Sequence, residues 1–339
     1  MEQDKIFEII QKYVNSIPVI LLGSGASAPY GIATMSILAT KLKEHLGDTA
    51  IPEDQSCINN FFNELKRCKD LEQALLAVKI TSNVENKIQR ITWELINQGD
   101  KEVFNRLQAN EKLGLTSLFN HLIGHTANRS INVITTNYDR LAEYAASQTR
   151  AFVNTGFTHC LIGKFMDEQT LEHYRQLKDY IGLINIWKVH GSLDWFHQTG
   201  DVLCYQNSNN IPERHTPSII TPGTNKYEKS LENPWRTIMQ RVDQSFKQAS
   251  AFLCIGYGFN DNHIHPKLIE RIKSKIPLLV VTKLVSPEAR NLIQKNSEKY
   301  IIIEENNNGG TLISTPESPD GISFNDVFWT IDGLMKILA

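Results

Sequence analysis

Four stretches of this chain place small or polar residues directly behind an apolar run, and each brings groups suited to one part of a ligand. Gly23-Ser24-Gly25-Ala26-Ser27 follows Val19-Ile20-Leu21-Leu22. Small residues there let backbone N–H groups approach a pyrophosphate at the positive end of a helix. Ala28 stands where G-x-G-x-x-G has its third glycine, a substitution that position accepts because it mainly requires close helix–strand packing. Thr135-Thr136-Asn137-Tyr138-Asp139 follows Ile131-Asn132-Val133-Ile134. Asn137 both donates and accepts, which suits ribose hydroxyls or a water, and Asp139 can accept from an amide or a hydroxyl. His190-Gly191 follows Ile186-Trp187-Lys188-Val189. A histidine at such a point can act as a base, and the glycine beside it admits substrate. Gly256-Tyr257-Gly258-Phe259-Asn260-Asp261 follows Ala251-Phe252-Leu253-Cys254-Ile255. Its glycines permit backbone approach to a phosphate or ribose, and Asn260 or Asp261 could bind ribose hydroxyls.

Each stretch also has a purely structural reading. The first is a tight strand–helix turn, Asn137 or Asp139 and Asn260 or Asp261 are helix caps, and the histidine is one held at a strand end. Their agreement favours chemistry, because four strand ends deliver small or polar residues to what should be one rim. His263 and His265, with His215 or Cys254, match zinc-ligand spacing poorly, so no metal is expected. No G-x-S-x-G is present, and no cysteine stands in a nucleophile's setting.

The elements that must position these residues are strands near 19–22, 131–135, 186–189, 218–220, 251–255 and 277–281, with a late candidate at 300–303. Helical spacing between several of them, notably 234–250 and 262–275, predicts an α/β Rossmann-like fold with a mostly parallel sheet and helices on both faces. From Ser36 the pattern turns helical, with Leu38, Leu42 and Leu46 on one face, then Leu71, Leu75 and Val78. The expected division is therefore a Rossmann-like domain of residues 1–35 and 129–339, with 36–128 as a helical insertion or cap. A helix around 325–338 closes the chain.

Composition sets the outer limits. The chain has 339 residues, 41% hydrophobic and 21% charged, with 35 Lys+Arg against 37 Asp+Glu. Disorder and a disulfide-stapled miniature are excluded, and a net charge of −2 offers no global field for nucleic acid. Five cysteines without a C-x-x-C pair indicate a reducing cytosol. No apolar run reaches the roughly 18 residues that span a bilayer, so a cytoplasmic protein with no membrane partner is expected.

Taken in order, Gly23-Ser24-Gly25-Ala26-Ser27, Thr135-Thr136-Asn137-Tyr138-Asp139, His190-Gly191 and Gly256-Tyr257-Gly258 resemble the sirtuin superfamily motifs G-A-G-x-S, T-Q-N-x-D, H-G and G-[ST]-S. Two departures count against peptide deacylation: the four-cysteine zinc module is missing, and Gly31-Ile32-Ala33-Thr34-Met35-Ser36 replaces G-I-P-x-F-R without its arginine. The sequence looks more like the sirtuin-like NAD+ hydrolase domains of bacterial antiphage systems. That resemblance implies NAD+ as substrate, with Gly23, Ser24, Gly25, Ala26 and Ser27 around its pyrophosphate. It implies Asn137 at the nicotinamide ribose positioning a water, Asp139 near the carboxamide, His190 as base or ribose-hydroxyl partner, and Gly256, Tyr257 and Asn260 on the adenosine side. It further implies a homo-oligomer or a partner such as a HerA-type ATPase. The alternatives are an NAD-dependent protein deacylase or ADP-ribosyltransferase, or a non-catalytic nucleotide-binding regulatory subunit.

Overall fold

The computed structural model describes residues 2–68, 71–125, 129–206, 208–222, 232–261 and 263–339. Its centre is a nine-stranded sheet, built from β1 (Val19–Leu22), β2 (Ser130–Thr135), β3 (Phe152–Asn154), β5 (Leu183–Lys188), β9 (Phe252–Ile255), β10 (Leu278–Val281), β11 (Tyr300–Glu305), β12 (Thr311–Ser314) and β13 (Ile322–Phe324). The spatial order is β13-β12-β11-β10-β9-β1-β2-β5-β3. Seven strands, from β11 across to β3, run parallel, and β12 and β13 add an antiparallel edge. Every residue of β1, β5, β9 and β10 is buried, as expected for a sheet covered on both faces.

Alternation along the strands sends side chains to two cores. Ile20, Leu22, Leu253 and Ile255 pack with Ile10 and Val14 of the helix Glu2–Asn15 and with Leu118 and Leu122 of the helix Gly114–His125. Val19, Leu21, Phe252 and Cys254 point the other way, against Trp235, Ile238 and Val242 of the helix Trp235–Gln248 and Leu268 of the helix His265–Lys273. This is the Rossmann-like α/β architecture that the strand spacing predicts.

Between β1 and β2 every element is helical, and packing divides this stretch. Leu38, Leu42, Phe61, Leu71, Leu75 and Ile88 form a core of their own. Trp93, Ile96 and Val103, further along the helix Ser82–Gln108, join the core of the sheet. Residues 126–128, at the end of the expected insertion, lie outside the described residues.

A second, four-stranded antiparallel sheet has the order β4-β7-β6-β8, where β4 is Ile162–Lys164, β6 Gly191–Gln198, β7 Asp201–Tyr205 and β8 Thr216–Ile219. The apolar run 218–220, expected in the parallel sheet, belongs here. β8 pairs with β6, and the Ile220 amide donates to the His190 carbonyl at 2.8 Å. The closing helix begins at Ile331, because the Thr330 side chain accepts from the Gly333 amide and caps it there. The helix expected from 262 starts at His265, and Asn262 itself lies outside the described residues.

The loops after β1 and β9 meet backbone to backbone. A Cβ on Gly23 would lie 2.4 Å from the Gly256 carbonyl oxygen, and one on Gly256, whose φ is +56°, would lie 2.2 Å from the Ala26 nitrogen. Gly256→Ala should therefore lower stability by about 2–4 kcal/mol, combining steric overlap with left-handed backbone strain. Gly309→Ala, at φ +81° but with open space around it, should cost only about 1–2 kcal/mol. Urea unfolding midpoints of the two variants check this; equal losses would mean that the seam accommodates a methyl group.

Candidate active site

The chain leaves β1 for β2 on one side and later returns to β9 on the other. This reversal opens a crevice at the carboxyl ends of the strands, the place where open α/β sheets bind ligands. Three amides of the first loop are already committed to protein. Gly23 N–H donates to the Ile255 carbonyl at 3.1 Å, Gly25 N–H to the Gly256 carbonyl at 3.1 Å, and Ala26 N–H to the Gly23 carbonyl at 3.0 Å. The small residues thus serve first to let two loops touch.

Asn137 locks the β2 loop onto that seam. Its Nδ2 donates to the Gly23 carbonyl at 2.9 Å and to Ser27 Oγ at 3.0 Å, and its own amide donates to Thr135 Oγ1 at 3.0 Å. Thr135 Oγ1 in turn donates to the Leu22 carbonyl at 3.1 Å. Ser27 lies beside Asp139 and favours its ionised form. Asp139 accepts from the Leu141 amide at 3.1 Å and so holds the turn into the helix Leu141–Ser147, whose cap residue is Arg140, while facing the crevice. Burial pushes its carboxyl above the usual range, and Lys188 pulls it back.

His190 stands where β5 hands over to β6, next to Gly191 at φ +85°. A Cβ on Gly191 would lie 2.1 Å from the Ser218 carbonyl oxygen, so this glycine is required by the pairing of β6 with β8. The ring Nε2 of His190 lies 2.8 Å from Asp261 Oδ2. The other oxygen of Asp261 accepts from the amides of His263 at 3.0 Å and Ile264 at 3.1 Å. Sequence weighed Asp261 as a cap or a ribose ligand. It holds the turn before the helix His265–Lys273, whose cap residue is Ile264, and it also reaches the histidine 71 positions earlier, a pairing with no local signal.

Buried charges hold the β2 loop from below. Lys188, wholly buried, donates to the Asp139 carbonyl and pairs with Glu143 at 3.0 Å. Asp100, from the helix Ser82–Gln108, accepts from the Arg140 amide at 2.7 Å, from its Nε at 2.9 Å and Nη2 at 2.6 Å, and from the Tyr144 hydroxyl at 2.7 Å. Burial raises the Glu143 carboxyl to about 7 despite the attraction of Lys188.

One cleft of about 190 Å³ collects Gly23, Ser24, Ser27, Asn137, Asp139, His190, Tyr257 and Asn260, together with Thr136, Tyr138, Asp261, and Thr34, Met35 and Glu72 from the helical stretch. Gly25, Ala26 and Gly256 instead line a second cavity of about 490 Å³, with Thr282, Lys283, Trp329 and Asp332. The expected site residues are thus divided by the seam: Tyr257 and Asn260 share the cleft of Asn137 and His190, and Gly256 lies on the other side. Thr282, Lys283, Trp329 and Glu72 carried no motif and were not anticipated. Among the described residues no three His, Cys, Asp or Glu side chains gather as metal ligands, and no helix is long and apolar enough to cross a membrane.

The SIR2-like domain model matches residues 131–307, just over half of the chain. No curated protein matches it. Similar solved structures include Sir2Tm bound to a propionylated peptide, at 14% identity and TM-score 0.44 over 88% of this chain and 92% of that one. Sir2 with a p53 peptide and NAD+ gives the same four values. A structure of Sir2 enzymes addressing mechanism and regulation has 15% identity and TM-score 0.43 over 88% and 90% of the two chains.

Because the folded protein binds the Glu143 proton more tightly than the unfolded chain does, this group contributes stability that is fully present below the ordinary carboxylate pKa. That contribution is lost as pH rises through about 7. Between pH 5 and pH 8 the stability of Glu143→Gln relative to the parent should therefore rise by about 1–3 kcal/mol. Chemical denaturation of both proteins across that range tests it, and parallel pH dependences would sink the assignment.

Proposed function

Because this chain belongs to the SIR2-like family, we propose that it is an NAD+ glycohydrolase, splitting NAD+ and water into nicotinamide and ADP-ribose with release of one proton. The observation that carries this reading is the convergence of Asn137, His190 and Asp139 with Gly23, Ser24 and Ser27 in one cleft at the strand ends. That cleft is lined by the carboxylates Glu72, Asp139 and Asp261 and, among the described residues, by no Lys or Arg. Such a lining suits a ribose that becomes cationic and disfavours a phosphate.

In this reading the C1′–N bond breaks with its electron pair going to nicotinamide, which leaves neutral. The ribose passes through an oxocarbenium-like state, and a water oxygen attacks C1′. Asn137, held by Gly23 and Ser27, places the water and the ribose hydroxyls. His190 takes the proton from the water or from a ribose hydroxyl and releases it to solvent. Asp139 faces the carboxamide. The adenosine half lies across the seam, in the cavity that Lys283 and Trp329 line.

Peptide deacylation is the weaker alternative. The five cysteines are free, three of them buried and one exposed, and the buried Cys204 thiol donates to Asp194, so they provide no zinc module of the kind deacylating sirtuins carry. A role as a bacterial antiphage effector belongs to the same proposal, as does gating by a second copy or a HerA-type ATPase, since an ungated NADase would poison its own cell. Ile37, Ile51 and Leu76, exposed on the helical stretch, are the expected contacts.

Incubating purified protein with NAD+ and separating nicotinamide, ADP-ribose, cyclic products and any deacetylated acetyl-lysine peptide tests the reaction. Asn137→Ala should lower turnover by at least about 10²-fold. His190→Ala should lower it by about 10²–10⁴-fold yet retain NAD+ binding by calorimetry. Parental turnover in a folded Asn137 variant would remove the site assignment, and NAD+-dependent peptide deacetylation without NADase activity would return the protein to the deacylases.

A further inference from the structure

We propose that Asp261 is a positioning residue for His190: its carboxylate Oδ2, lying beside the ring Nε2, favours the tautomer with the proton on Nε2, which leaves the Nδ1 lone pair as the ring's one basic atom. This rests on the NAD+ cleavage reading and adds to it a residue that touches no reacting atom. The geometry is specific. Oδ2 lies 2.8 Å from the ring Nε2, while Oδ1 is engaged separately by the His263 and Ile264 amides. The turn that follows uses one oxygen; the second lies beside the histidine at ion-pair distance rather than in an aligned hydrogen bond.

The loop that carries Asp261 is rigidly placed. Gly256 and Phe259 both take positive φ, the Phe259 ring is buried against Tyr257, and the Phe259 carbonyl accepts from His265 Nδ1. Glu72 and Asp139 also line the cleft, but Asp139 is held by the Leu141 amide, and it is Asp261 that meets the ring. A carboxylate this buried, 7% exposed, costs free energy unless a hydrogen-bond donor or cation compensates it. The imidazolium formed when Nδ1 takes the proton supplies that charge at the moment of reaction and passes the proton on to solvent.

Asp261→Asn keeps the Oδ1 acceptor of that turn but places a donor toward the ring, which favours the tautomer protonated on Nδ1. Two measurements on the parent and this variant decide the matter: kcat and KM for nicotinamide release from NAD+, and ¹⁵N spectra of the His190 ring at a pH where it is neutral, assigned with His190→Gln. The expected result is a kcat lower by about 10–100-fold with KM within about threefold, together with a change from an Nε2–H to an Nδ1–H ring. Unchanged kcat with an unchanged tautomer would overturn the proposal, as would a change in KM alone. If Asp261→Asn melts early, Asp261→Ser, which retains a side-chain oxygen but no charge, is read in the same way. A parent that never releases nicotinamide would remove the NADase reading, and the ring spectra would still decide whether Asp261 sets the tautomer.

Discussion

Two backbones touch at the centre of the sheet, and the site exists because they can. Gly23 and Gly25 on one side and Gly256 on the other leave no room for a side-chain carbon, with hypothetical Cβ positions 2.2–2.7 Å from backbone atoms of the opposing loop. The contact lets Gly25 N–H reach the Gly256 carbonyl, so the loop after β9 continues the register of β1 beyond the ends of the strands. Everything hung on these loops inherits that register. Asn137 is fixed by the Gly23 carbonyl, and Asp261 follows five residues after Gly256, close enough to meet His190. The same seam divides the crevice in two, since Gly25, Ala26 and Gly256 face one cavity and Gly23, Ser24 and Ser27 the other.

The helices between β1 and β2 take part in this arrangement. Asp100, fully buried, receives four hydrogen bonds from Arg140 and Tyr144. Trp93 Nε1 donates to the Leu193 carbonyl at 2.7 Å, and Gln89 Nε2 to the Ile219 carbonyl at 3.3 Å. One helix, Ser82–Gln108, therefore ties the loop carrying Asn137 to the two strands that carry His190 away from the sheet. Breaking a buried pair such as Asp100–Arg140 leaves an uncompensated charge and costs about 3–5 kcal/mol, so displacement of this helix would be felt at the cleft.

The parallel strands were legible because burial on both faces writes a continuous apolar run: Val19–Leu22, Phe252–Ile255 and Leu278–Val281 need no partner to be recognised. The four glycine or polar strand ends were legible for the same reason, since each interrupts such a run. The small antiparallel sheet was not. Its strands β4 and β7 mix exposed and buried residues, and the apolar end of β8 carries no mark of which sheet it joins. Lys188 sat unexplained within an apolar strand; its partners, the Asp139 carbonyl and Glu143, lie across the fold. Local spacing cannot report a pairing whose two halves meet only after folding, and His190–Asp261 is of that kind.

Electrostatics gives the divided crevice a direction. Beneath and around the cleft lie Asp100, Asp139, Glu143, Asp194 and Asp261, against the buried cations Lys188 and Arg140. Even with burial raising the Glu143 carboxyl to about 7, these carboxylates outnumber the two buried cations. A developing positive charge on a ribose is stabilised there, whereas a pyrophosphate is repelled. Lys283, over the Trp329 ring at 6.0 Å, lines the second cavity beside Asp332 and pairs with Glu305 at 3.7 Å, so charge on the far side of the seam is more nearly balanced. On the proposed reaction the bond to be broken lies over the carboxylates, and the phosphates fall on the side of the seam where Lys283 offers a cation. On that reading the glycine seam would separate the half of the substrate that becomes cationic from the half that is already anionic.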